Sequence, residues 1–250
     1  PNARFGQWFL DPLNKKGPDY NRNKDRILDK FKVVDSTFLT TSPDVLNFLD
    51  KEKSFYIPNP SDKSFEILNN FNKSCNVDVF FALSHGVHRG VLKIGKIDDR
   101  VTFIKKLKDI TPNVKFDLYG LDKVQPIWAD HYFKTISNAK MGLNLSRGQA
   151  IKYYSSDRIT QIVGNGLVCL IDEKTQYRNF FNDKEMVFYK NLNDLSEKIL
   201  KLSSDDKTRK LIARRGKKKY MKYFNSNLVA QFIINKSFGI NNKNKYLWSK

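Results

Sequence analysis

The chain has 250 residues, 40% of them hydrophobic and 13% aromatic, which is enough for one large core or two small ones and excludes wholesale disorder. No apolar run approaches the roughly 20 residues that span a bilayer, and the N-terminus lacks a basic-then-apolar signal pattern, so a cytoplasmic protein is expected. The formal charge of +19 invites a nucleic-acid or anionic-membrane partner, yet Lys and Asn are abundant all along the chain, a bias that AT-rich coding produces without selection for binding.

Taken in order, Arg4 to Leu10 carries Phe5, Trp8, Phe9 and Leu10 before Asp11-Pro12 and predicts a strand ending at a turn. Asn14 to Asn23 is polar, contains Gly17-Pro18, and reads as a loop. Val33 to Thr40 predicts a strand, and Ser42 followed by Pro43 predicts the cap and first position of a short helix reaching Leu49. Phe55 to Ile57 is a brief strand closed by Pro58-Asn59-Pro60. So few apolar runs make residues 1–65 the last part of an α/β domain rather than a whole one. The start at Pro1, without an initiator methionine, reads as a fragment or a processed product.

A second unit is expected over residues 66–238, with 239–250 as a tail. Val77 to Leu83 is a strand, Arg100 to Ile110 a helix with Val101, Ile104 and Leu107 at helical spacing, and Val114 to Tyr119 the next strand. An irregular segment with Pro126 and Trp128 precedes a helix marked by Tyr132, Ile136 and Ala139. Met141 to Leu145 and Leu167 to Ile171 are almost continuous apolar runs, as parallel strands covered on both faces require. Tyr177 to Phe181 is a turn of helix, Met186 to Tyr189 a strand and Leu192 to Leu202 a helix. This alternation predicts an α/β fold, a doubly wound parallel sheet of Rossmann-like type, whose ligand site lies at the carboxyl ends of the strands. Cys75 and Cys169 stand far apart in apolar contexts and read as buried thiols, without a disulfide framework or zinc site.

Polar groups concentrate between the two central strands. Ser146 and Arg147 stand just past the first, and Tyr154, Ser155, Ser156, Asp157 and Arg158 lead into a helix carrying Ile159, Ile162 and Val163. Ser155 or Ser156 as N-cap would leave free backbone N–H groups at a positive helix end, which suits a phosphate. The last part, Asp205 to Phe238, is helical, with an apolar stripe and an opposite face carrying residues from Arg209 to Lys222. That face is read as solvated, with peripheral contact to an anionic membrane as the functional alternative. No nucleic-acid partner is expected, because no aromatics alternate with the basic residues and no nucleic-acid motif is present.

The pieces SHGVHRG, FDLYG, AKMGLNLSRG, YYSSDRITQIVGNGLVCLID and RKLIARRGKKKYMKYF, in this order and spacing, resemble the C-terminal half of a GT-B glycosyltransferase, closest to the CgeB-like set related to glycosyltransferase family 1. The resemblance covers about Val77 to Phe238, and Phe38 to Pro60 looks like the end of the partner domain. It implies two facing Rossmann-like domains. The C-terminal one holds a nucleoside-diphosphate sugar, and the other holds a glycan, lipid or protein hydroxyl acceptor. Carried over, it places the diphosphate against Gly86, His88, Arg89, Arg147, Ser156 and Arg158, where glycines allow close backbone approach and arginines fork onto oxygens. Gly86 and Gly90 could instead be turn formers, His88 an exposed polar residue, and Arg158 the partner of Asp157 or Asp172. The nucleoside falls to Tyr154, Asp157 and Gln161. At Gln161 the family carries a Glu that bonds the ribose; an amide still donates to and accepts from hydroxyls.

Sugar transfer from such a donor builds negative charge on the leaving diphosphate, so preplaced cations lower the barrier. The chain has no Asp-x-Asp pair to hold a divalent ion, so the reaction expected is metal-independent and without cofactor. No residue is assigned as general base. Two other classes stay open: a non-catalytic sugar-nucleotide or glycan-binding domain, and a basic polyanion-binding module.

Overall fold

The computed structural model describes residues 3–17, 19–83, 87–88, 91–92, 99–154, 156–240 and 246–249, with the backbone alone at 87–88 and 91–92. The N-terminal residues form a parallel sheet of three strands, β1 (Gly6–Phe9), β2 (Ser36–Leu39) and β3 (Ser54–Tyr56), in that order. Phe9, Leu13, Ile27, Leu39, Leu46 and Leu49 make a small core beneath it. Between β1 and β2 runs α1 (Tyr20–Phe31), where the sequence reads as loop up to Asn23. Only Asn23 and Ile27 of this helix are buried, so its apolar periodicity is too sparse to stand out. The helix expected from Pro43 to Leu49 is a single 3-10 turn over Pro43–Val45, and Ser42 does not cap it; its hydroxyl donates to the Asp44 carboxylate instead.

The second sheet has five parallel strands: β4 (Val77–Ala82), then, after a short antiparallel ladder of β5 (Val87–His88) and β6 (Val91–Leu92), β7 (Phe116–Tyr119), β8 (Ala139–Asn144), β9 (Val168–Asp172) and β10 (Val187–Tyr189). Their spatial order is β10-β9-β8-β4-β7. Helices α2 (Asp99–Ile110), α3 (Ala129–Ile136), α4 (Arg158–Gly164), α5 (Leu192–Ser204), α6 (Asp206–Tyr223) and α7 (Ser226–Ser237) complete the chain. Alternate residues serve opposite faces, as the two-residue period of a strand dictates. Phe80, Cys169, Ile171 and Phe188 pack with Ile159 and Ile162 of α4, whereas Val79, Phe81, Met141 and Leu170 pack with Ile104, Leu107, Leu195 and Ile199. Cys75 and Cys169 are buried free thiols, as expected. Ala139, expected to end a helix, opens β8. No described helix is long and apolar enough to cross a membrane.

Two close approaches fix the region above the sheet. Gly142 of β8 lies so near α4 that an added Cβ would stand 2.5 Å from Ile162 Cγ1. Gly120, at φ 76°, turns the chain after β7 against the end of β4, where a Cβ would sit 1.9 Å from the Leu83 carbonyl oxygen.

The basic face of α6 is not wholly solvated. Arg209 is fully buried and donates through Nη1 to the Asn70 carbonyl (3.0 Å) while pairing with Asp206. Lys217 donates to the carbonyls of Glu66 (3.0 Å) and Leu68 (2.6 Å), and Lys219 pairs with Glu185 at 2.7 Å. Arg209 and Lys217 thereby tie α6 to backbone carbonyls of the segment joining the two sheets. Arg209→Ala strands those acceptors and is expected to cost about 2–4 kcal/mol in urea unfolding. Lys210→Ala, which removes a partly exposed pair with Asp206, is expected to stay within about 0.5 kcal/mol. Equal effects of the two would contradict this role for Arg209.

Candidate functional site

The strand order reverses between β4, the first strand of the larger sheet, and β8, the third. A crevice opens outside the carboxyl ends of two such strands, because their crossovers leave in opposite directions. One side chain reaches both ends. Arg158, the first residue of α4, donates through Nε to the Ala82 carbonyl (3.3 Å) and through Nη1 to the Leu145 carbonyl (3.2 Å). Nη1 also donates to Ser156 Oγ (2.9 Å), and the guanidinium lies 5.0 Å from the Phe81 ring centroid.

All these partners are neutral. Among the described residues Arg158 makes no ion pair, and Nη2 has no hydrogen-bond partner. Burial, then the neighbouring Arg100 charge, pulls its pKa down, though a guanidinium stays protonated at neutral pH. A cation drawn partly out of water without a direct ion pair is costly, and an anion arriving beside it recovers part of that cost.

Beside Arg158 lies a hollow of about 230 Å³. Leu83 comes from the end of β4, Ile127 and Trp128 from the segment before α3, Tyr132 from α3, and Asp157 and Gln161 from the start of α4. Trp128 is 54% exposed, so a large aromatic face stands at the mouth. The next residue, Ala129, holds φ at 46°, a left-handed conformation that L side chains rarely adopt and that concentrates at functional sites. Burial raises the Tyr132 phenol pKa well above its usual value, and the Arg158 charge pulls it partly back.

A second hollow, of about 420 Å³, lies over the ends of β8, β9 and β10, lined by Arg100, Ser146, Asp172 and Tyr189 among others. Beneath this edge several buried polar atoms lack partners among the described residues: both amide atoms of Asn144 and the Tyr189 hydroxyl. Orphaned buried groups are rare in folded proteins and mark places where a ligand or water completes the bonding.

The expected site residues divide. Arg158, Asp157 and Gln161 come together at the first hollow, and Ser156 supports Arg158. Ser156 does not cap α4. The N-cap is Asp157, without a side-chain cap bond, because the Ser156 hydroxyl accepts from the charged guanidinium, the stronger donor. Arg158 pairs with neither Asp157 nor Asp172. Arg147 turns away to Asp19 of the N-terminal unit at 2.7 Å and does not line the hollow. Tyr154 is buried, its phenol pKa raised by desolvation, and it also stands off the lining. His88 lies in β5, with only its backbone described; Gly86, Arg89 and Ser155 lie outside the described residues. His131 packs edge-on against Tyr119, with ring centroids 6.1 Å apart. Trp128 and Tyr132 were missed as site residues. Their signal was faint: an unpatterned Trp beside a Pro, and a Tyr that also fits a core helix.

A family model described as glycosyl transferase-like matches residues 100–235. The chain belongs to that glycosyltransferase family. The match does not single out the CgeB-like set. No curated protein sequence matches the chain. Among solved structures it is similar to TarM, with a TM-score of 0.65 at 16% identity over 94% of this chain and 50% of TarM. It is also similar to HepE from Anabaena in complex with UDP-glucose (TM-score 0.64, 10% identity, 92% of this chain and 71% of HepE). A third is the pneumococcal O-GlcNAc transferase GtfA in complex with UDP and GlcNAc (TM-score 0.55, 12% identity, 89% of this chain and 48% of GtfA). The chain therefore spans about half the length of TarM and GtfA. Its fold is that of the GT-B glycosyltransferases, with Rossmann-like parallel sheets.

Proposed function

We propose that the glycosyltransferase chain supplies the donor side of a sugar transfer, seating a nucleoside-diphosphate sugar in the hollow beside Arg158. The observation that carries this reading is a half-buried guanidinium, hydrogen-bonded only to neutral oxygens, at the crevice where the strand order reverses. The diphosphate supplies a directly paired counter-charge. The base lies against the Trp128 face, and Gln161 meets ribose hydroxyls, with its amide in place of the family's carboxylate. The family resemblance adds Gly86 and Arg89, which lie outside the described residues, as further contacts to the diphosphate.

In the reaction the bond from the sugar's anomeric carbon to the diphosphate oxygen breaks, and the nucleoside diphosphate leaves with the electron pair. The acceptor hydroxyl oxygen forms the new bond and gives up its proton. Charge growing on the leaving group is met by fixed cations already in place, so little reorganisation is needed at the moment of transfer and no divalent ion is called for. Residues 1–65 are proposed as the closing strands of the acceptor-side domain. Among the described residues β1 pairs only with β2, and its open edge and the exposure of Phe5, Trp8 and Leu10 there support this.

A thermal-shift series tests the donor reading. UDP or GDP, whichever matches the base, at a hundredfold excess over Kd is expected to raise Tm by about 5–10 °C. The shift disappears in Arg158→Ala and shrinks in Arg89→Ala and Trp128→Ala. Equal shifts in the wild type and all three variants would overturn the assignment.

A second surface favours contact with an anionic membrane. Ile67, 63% exposed, stands beside Lys63, Arg214, Lys218 and Met221, and Phe65, 68% exposed, is two residues away in sequence. Apolar side chains flanked by cations suit an acidic headgroup layer, where each basic residue contributes roughly 1 kcal/mol. Sedimentation with phosphatidylserine vesicles is expected to pull down the chain. High salt and the Phe65→Ser/Ile67→Ser pair are both expected to release it. Equal binding to neutral vesicles, or none to acidic ones, would remove this reading.

A further inference from the structure

A separate hollow of about 630 Å³ lies where β3, the turn after β2, the Lys152–Tyr153 segment, α7 and residues 246–249 meet. It has no lining residue in common with the donor hollow, although one short segment touches both: Lys152 and Tyr153 line this one, Asp157 and Arg158 the other. Its lining includes the buried aromatics Tyr56, Phe180, Phe232 and Trp248. Tyr153 closes against Phe180 with ring centroids 4.6 Å apart, and Tyr56 stacks on Phe180 at 6.0 Å.

Three lysines and one carboxylate join these aromatics in the lining. Lys152 is tied to Asp44, which leaves Lys51 and Lys236 exposed and without an ion pair among the described residues. The Lys236 ammonium stands 5.1 Å from the Phe55 ring centroid and 5.7 Å from that of Phe232, so the charge is held over the aromatic surface. Two polar atoms on lining residues have no partner: Ser54 Oγ and Trp248 Nε1, on side chains that are nearly inaccessible. Each such atom is destabilising until a ligand or water bonds it.

Each feature narrows the occupant. The half-exposed rings of Phe55 and Tyr153 in the lining accept the C–H faces of a sugar ring, whereas a free phosphate has no use for them. The surplus cations call for an anionic group, which a neutral sugar lacks. The unpartnered hydroxyl and indole N–H match ring hydroxyls. We propose that this hollow binds a saccharide carrying a phosphate or carboxylate group. The site stands on its own residues, independent of the donor assignment.

Calorimetric titration of the whole chain with glucose 6-phosphate, glucuronic acid, glucose and inorganic phosphate tests this. The two charged sugars are expected to bind saturably, about tenfold or more tighter than glucose or phosphate alone. The Lys51→Ala/Lys236→Ala double variant, both positions being exposed, is expected to keep its Tm and its nucleotide-induced shift while losing about tenfold in affinity for the charged sugars. Arg158→Ala is expected to bind them as the wild type does. Equal binding of glucose and glucose 6-phosphate overturns the proposal. So does phosphate reproducing the signal, no saturable binding of any probe at millimolar concentration, or a double variant indistinguishable from wild type.

Discussion

A guanidinium held between two strand ends sets the geometry of this molecule's carboxyl edge. Arg158 spans the gap between β4 and β8 by donating to one carbonyl at each tip, so the crevice left by the reversal of strand order is bridged from within by a positive group. The rest of the local structure keeps it there. Gly142 lets α4 settle on β8 without a Cβ between them, Gly120 folds the chain after β7 onto Leu83, and Ser156 gives up its capping position to hold the guanidinium. Helix α4 contributes little dipole of its own over seven residues. The charge that matters is the side chain's.

The high positive charge has a similarly local meaning. Several cations of α6 act as internal donors: Arg209 and Lys217 satisfy backbone carbonyls of the segment between the sheets, and Lys219 pairs with Glu185. The first two tie down a largely non-repetitive stretch of backbone. Elsewhere some exposed cations gather beside Ile67 or around the aromatic hollow near Trp248, and others are spread over the surface. Net charge counts all of these alike, which is why composition pointed toward polyanions.

The larger sheet was legible in the sequence because most of its strands are buried and read as mainly apolar runs, with helices between them at regular spacing. Helix α1 was not, since two buried residues in twelve give no stripe. Arg209 was misread because helical periodicity assigns a long charged side chain to the solvent face, although its stem and fork can reach inward to carbonyls remote in sequence. Of the candidate site, Asp157, Arg158 and Gln161 were found through the family resemblance and the strand–loop–helix pattern, and they do come together. Arg147 stands beside them in sequence yet pairs across the molecule with Asp19. Spacing carries no information about such a tertiary ion pair. Trp128 was invisible as a site residue because its role depends on the fold of an irregular loop.

The central claim is that Arg158 awaits an anionic ligand at the switch point, and it can be read at that side chain. In ¹⁵N-resolved NMR of the chain titrated with a nucleoside diphosphate, the Arg158 Nε–Hε signal and the Gln161 side-chain amide are predicted to shift together and saturate at one affinity. Unmoved signals there, with saturable shifts confined to residues far from β4 and β8, would contradict the account.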